Sequence, residues 1–168
     1  MTFTLWKQGV MIGETDFALG ERRGRRRIGA FHPTPSGMLA LPAITAMAPA
    51  LLECGAVLKQ LPLSDEELER DGGGDTALAL FERTPEGRRV LAAAEQIAQL
   101  ELRDPSGRPI MFESFLLSDI EELATSGATS RSAIAARRKN PAAPIRYVIS
   151  VSLREADLWS KAESALEA

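Results

Sequence analysis

An α+β fold with a largely antiparallel sheet is what this 168-residue sequence predicts, and three observations carry the prediction. Two short runs of alternating apolar residues turn back on themselves around glycine or proline signals, as β-hairpins do. A late β-rich run supplies a further strand. The helical segments are interspersed with the hairpins rather than alternating regularly with single strands, which argues against a parallel doubly wound sheet. The length suits one domain over residues 1–168 with a real core, its helices packed on one side of the sheet.

The first hairpin runs out through Phe3-Thr4-Leu5-Trp6 and back through Val10-Met11-Ile12-Gly13-Glu14, with Gly9 supplying positive φ in the turn. Residues 20–27 are polar, arginine-rich and punctuated by glycine, and read as a loop before a short strand at Ile28 to Phe31. His32-Pro33-Thr34-Pro35 then reads as an extended turn, because a residue that precedes proline is pushed out of the α region. Ile44, Met47, Leu51, Cys54, Leu58 and Leu61 recur at steps of three and four and form one helical stripe. Pro49 predicts a kink there or two short helices joined near Ala48.

Ser64 with Glu67 forms a capping box for a short helix, which Gly72-Gly73-Gly74 ends as a connector. Thr76 to Phe81 fits a strand or a helical turn. Thr84-Pro85-Glu86 opens a helix that carries Val90, Leu91, Ala94, Ile97 and Ala98 on one side. The second hairpin turns at Asp104-Pro105-Ser106-Gly107, between Leu100-Glu101-Leu102-Arg103 and Ile110 to Phe115. Ser118 with Glu121 caps a short helix, residues 125–144 form a mobile basic loop, and Arg146 to Val151 is a strand. Ser152 then caps a final amphipathic helix with Leu158, Trp159, Ala162 and Leu166. The Leu100 to Ile110 hairpin resembles the one in glyoxalase/dioxygenase-like metalloproteins, but the His and Glu metal ligands of that family have no counterparts here.

Composition excludes several classes. The hydrophobic fraction of 45% and charged fraction of 26% are those of a globular protein. A net charge of -3 gives no overall pull toward nucleic acid. One cysteine cannot form an internal disulfide, and the first residues lack a basic segment followed by an apolar one, so a cytoplasmic location is expected. The longest apolar stretch, Met38 to Val57, is interrupted by Pro42, Pro49, Glu53 and Gly55, and no membrane association is expected. Abundant alanine and arginine with few lysines suggest a bacterial source.

Chemistry has few places to sit. His32 is the sole histidine and the one candidate general base near neutral pH, held between Phe31 and Pro33. Cys54 lies in phase with the apolar stripe and reads as an inert core thiol. No phosphate loop, dinucleotide fingerprint or nucleophile elbow occurs, and neither a metal site nor a cofactor is expected. Charge is segregated instead. Arg22, Arg23, Arg25, Arg26 and Arg27 face only Glu21, while Arg131, Arg137, Arg138, Lys139 and Arg146 share a segment without acids. Residues 53–75 are strongly acidic.

The reading is a non-enzymatic protein-binding or interaction module, with a partner protein or a second copy as its target. One alternative is a nucleic-acid-binding protein that uses Arg22 to Arg27 and Arg137 to Lys139. Another is a small enzyme with a pocket around His32. The candidate binding residues are therefore His32, Arg22, Arg23, Arg25, Arg26, Arg27, Arg137, Arg138 and Lys139; no catalytic residue is assigned.

Overall fold

The computed structural model describes residues 1–19, 25–58, 62, 73–125 and 145–153. It is α+β, with seven antiparallel strands in one sheet of order β5-β4-β1-β2-β3-β7-β6. The strands are β1 (Phe3–Lys7), β2 (Val10–Thr15), β3 (Arg26–Pro33), β4 (Leu100–Arg103), β5 (Pro109–Ile110), β6 (Phe112–Asp119) and β7 (Tyr147–Leu153). Strands β5 and β6 are separated by Met111 alone, yet they lie on opposite edges of the sheet. Two residues span at most about 7 Å, so the sheet must roll until its edges nearly meet at Met111. The result is almost a barrel.

Inward-pointing residues of the strands fill that barrel, among them Phe3, Leu5, Ile12, Phe31, Leu102, Leu117 and Ile149. This is the filling expected for a barrel of about eight strands, whose interior is just wide enough for side chains. The first hairpin turns through Gln8 and Gly9, with φ of 50° and 80°. Two consecutive positive φ values give the type I′ geometry that matches strand twist. The pairing shifts register between Leu5 and Trp6, which inserts Ile12 as an extra inward residue, while Val10 is left exposed at the hairpin tip.

The proline-rich segment after β3 differs from its sequence reading. His32 and Pro33 belong to the strand, and helix α1 (Pro35–Thr45) starts directly afterwards. Thr34 is the N-cap: its Oγ1 accepts from Gly37 N at 3.0 Å and donates to Met11 O at 2.9 Å. Pro35 is tolerated at the first helical position because its missing N–H would be unpaired there anyway. Gly37 lets the helix lie directly on β2, since a Cβ there would come within 1.7 Å of Ile12 O. Helix α1 sends Leu41 and Ile44 into the barrel core and contacts β2, β3 and β6.

The two short helices expected around Pro49 are present, joined at Ala46: α1 ends at Thr45 and α2 spans Met47–Leu58. The break shifts the stripe's phase. Ile44, Met47 and Cys54 are buried, whereas Leu51 is exposed. Leu61 and the Ser64–Glu67 box lie outside the described residues, as do residues 126–144 of the expected basic loop and the helix expected after Leu153. Ser152 and Leu153 themselves are strand residues.

Glycines 73 and 74 do not act as a connector. Helix α3 (Gly73–Glu82) begins on them, followed by Asp75 in its first turn, where a carboxylate suits the helix dipole. Thr76 to Phe81 is therefore helix. Helix α4 (Pro85–Ile97) is capped by Thr84 as its sequence predicts, with Gly87 N donating to Thr84 Oγ1 at 3.0 Å. Its inner face is Gly87, Val90, Ala93 and Ile97, rather than the one through Leu91 and Ala94, because the helix docks on its small residues.

The second hairpin is real but brief. Leu102 pairs with Ile110 and Arg103 with Pro109, after which the chain crosses to β7 and pairs from Phe112 to Asp119. The longer ladder with β7 outweighs continued pairing with β4. The cap of the next helix, α5 (Ile120–Thr125), is Asp119 rather than Ser118. Asp119 Oδ1 accepts from Glu121 N at 3.0 Å, while Ser118 is still a buried strand residue.

Candidate functional site

The three described arginines of the first basic segment do not form a loop of equivalent charges. Arg26 and Arg27 are the first residues of β3, and strand alternation sends them to opposite faces. Arg27 pairs with Val151, points inward with Phe31 and is only 7% exposed. Arg26 pairs with Ser152 on the outer face, and its Nε donates to Ser150 Oγ at 3.0 Å. Arg25 is exposed, 3.9 Å from Glu113. Arg22 and Arg23 lie outside the described residues, as do Arg137, Arg138 and Lys139.

The one described member of the second basic segment, Arg146, sits far from Arg26. It precedes Tyr147, which pairs with Phe31, so the two arginines flank opposite ends of the β3–β7 ladder, roughly 20 Å apart at strand spacing. Arg146 is occupied as well. Its Nε reaches Asp119 Oδ2 at 3.1 Å, its backbone O accepts from Ile120 N, and its guanidinium lies 5.1 Å from the Tyr147 ring centre. The hydrogen bond and charge of Asp119 hold this guanidinium above its ordinary pKa.

His32 is exposed on β3, opposite Glu14 of β2. Among the described residues, no group of three or more His, Cys, Asp or Glu side chains could hold a metal ion. Cys54 is buried, donating from Sγ to Ala50 O at 2.9 Å. Burial pushes its thiol pKa up, against a smaller lowering from its backbone hydrogen bond.

A different surface emerges on the helices. A groove of about 590 Å³ runs between α1, α2, α4 and α5. Its walls are small: Pro42, Ala46, Pro49 and Ala50 on one side, Ala92 and Ala93 on the other. Ionic groups border it. Arg89 Nη2 lies 2.5 Å from Glu53 Oε2 and 3.2 Å from Glu86 Oε1, and Glu122 adds a further carboxylate to the lining. Among the described residues, Glu53, Arg89 and Glu122 line the groove, and Glu86 pairs with Arg89 beside it.

Large apolar side chains stand exposed on the same helical layer. Leu39 of α1 is 87% exposed, and Leu51 and Leu52 of α2 are about half exposed. Leu39 lies one turn from Ala43, and Leu52 one turn from Pro49, both of which line the groove. The stretch Pro35–Cys54 is long and apolar enough to cross a membrane, with mean hydropathy 1.5, and 44% of it is buried within this fold. In the sequence the groove's signal is the density of Ala and Pro over residues 42–50 and of Ala over 92–94, which marks missing side-chain volume. Its ionic pair is half-legible, as Glu86 and Arg89 at i,i+3. The chain matches no protein family, no curated protein and no solved structure.

Proposed function

We propose that the protein is a non-enzymatic, cytoplasmic protein-binding module that seats an amphipathic helical segment of a partner in the α1–α2–α4 groove. The observation that carries the reading is the groove itself: walls of alanine and proline, an ionic rim and exposed leucines beside it. Small walls leave room for bulky apolar anchors, the usual mode of helix-in-groove recognition. Glu53 and Glu86, which share the guanidinium of Arg89, favour a basic residue beside those anchors. The exposed leucines extend the apolar contact beyond the groove and give the partner's ordering cost something to work against.

The test is comparative capture from the native host with two variants. Ala92→Trp fills the groove from an exposed position, and His32→Ala removes the candidate base on the sheet. A discrete partner lost by Ala92→Trp and kept by His32→Ala is the expected result, with both variants melting like the parent. A partner retained by Ala92→Trp, or no partner at all, refutes the proposal.

A further inference from the structure

On the outer face of the sheet, three strands bring an arginine and three serines together from distant parts of the chain. Arg26 of β3 pairs with Ser152 of β7, and Ser152 pairs with Ser114 of β6, so one cross-strand row reads Arg26–Ser152–Ser114. The next outward row reads Ile28–Ser150–Leu116. Inward neighbours Arg27, Val151 and Phe115 are buried, which places the members of both rows on the outer face. We infer that this face is a binding site for a phosphate monoester.

The donors are positioned and have capacity to spare. Ser150 is buried, and its Oγ takes the Nε of Arg26, which lays the guanidinium along the ladder. The two terminal nitrogens of Arg26 make no hydrogen bond or ion pair among the described residues, and neither do the hydroxyls of Ser114 and Ser152. Adjacent strands lie about 4.8 Å apart, so two hydroxyls on neighbouring strands can reach different oxygens of one small anion. A guanidinium fork with two hydroxyls offers donors from three directions, which suits a tetrahedral oxyanion better than a planar carboxylate.

Charge and shape narrow the ligand further. Arg25 faces Glu113 at 3.9 Å, so those two offset each other and Arg26 carries the positive charge of the row. Among the described residues, Arg26 is the one guanidinium of the row without an acidic partner, which suits a single phosphoryl group, whereas a nucleic-acid strand needs several cations in line. The neighbouring row is mostly apolar: Ile28 and Leu116 flank Ser150 and are partly exposed. Those side chains give the organic part of a monoester a surface to rest on. This site is independent of the helical groove and stands or falls separately from it.

The experiment is a backbone-amide NMR titration of the full chain at low ionic strength with inorganic phosphate, phenyl phosphate and a twelve-nucleotide single strand. Saturable shifts at residues 26, 114, 150 and 152 are expected, with phenyl phosphate binding more tightly than inorganic phosphate. Arg26→Gln should weaken phenyl phosphate about tenfold, because it removes the charged fork while keeping a polar side chain. Ser114→Ala with Ser152→Ala should weaken it roughly threefold or more, and this variant carries the test if Arg26→Gln does not fold. Absent shifts, shifts spread equally over Arg83, Arg88 and Arg103, or affinity indifferent to these substitutions would overturn the site. An oligonucleotide that binds more tightly than phenyl phosphate through the same residues would overturn the monoester assignment.

Discussion

Asp104→Asn tests how the second hairpin is held. The carboxylate is buried, with its side chain 8% exposed, and collects donors from its own turn. Oδ1 accepts from Ser106 N at 2.8 Å, Ser106 Oγ at 2.6 Å and Arg108 N at 3.0 Å. Oδ2 accepts from Arg108 Nε at 3.0 Å. Burial by itself would raise the pKa of Asp104, but these donors outweigh it and hold the group below the usual carboxylate value. Asparagine keeps one acceptor oxygen, loses the charge and turns an NH2 toward Arg108. Charge-assisted bonds are worth about 1.5–3 kcal/mol each and neutral ones about 1, so the expected loss is roughly 2 kcal/mol at pH 7. Arg108 is well exposed, and its ion pair contributes at most about 1 kcal/mol of that.

The sign with pH follows from the depressed value. Asp104 contributes stability above its unfolded pKa, about 3.9, and loses it as pH falls through the lower folded value. The asparagine that replaces it does not titrate. Urea melts should therefore show the Asp104→Asn midpoint about 1 M below the parent at pH 7, given a slope of about 2 kcal/mol per M. The gap should shrink as pH drops below about 4. A gap under about 0.3 M at pH 7, or one that stays constant down to about pH 3, would show that the turn's donors do not select the charged carboxylate.

Two other substitutions and one labelling experiment probe the frame that carries the groove. Gly37→Ala forces a Cβ against Ile12 O and should lower the melting temperature by about 6 °C or more, as an overpacked contact costs about 2–3 kcal/mol; an unchanged melt contradicts the close seat of α1 on β2. Thr34→Ala removes the cap and the bond to Met11 O and should cost about 1–2 kcal/mol in urea melts, with a loss under about 0.3 kcal/mol contradicting the cap. Cys54 should react with a thiol reagent about a hundredfold more slowly in the folded chain than in urea, because it is buried and its pKa is raised; comparable rates contradict its place in the core.

Local features of the fold are legible in the sequence and long-range ones are not. The first hairpin, the Thr84 cap, the break between two helices near Pro49 and the final strand each follow from residues close together in the chain. Closure of the sheet does not. It depends on Met111 carrying the chain from one edge to the other, and the ladder that rewards this joins residues distant in the chain, such as Phe112 with Leu153. The arginine run shows the same limit. Arg26 and Arg27 are neighbours of identical chemistry, and strand phase alone makes one an outer-face donor and the other a core residue. The row of Ser114 and Ser152 with Arg26 exists only through pairing across three strands. Glycines 73 and 74 mislead because the low helix propensity of glycine costs least at a helix start, where the first N–H groups are unpaired anyway.

The central claim is that the helical groove receives a partner, and hydrogen exchange of the free and partner-bound protein tests it most directly. Binding should slow exchange in α2 and in residues 89–96 of α4, where the groove walls lie, and leave β3 and β6 unchanged. Protection confined to β3, β6 and β7, with α2 and α4 exchanging as in the free protein, would contradict it.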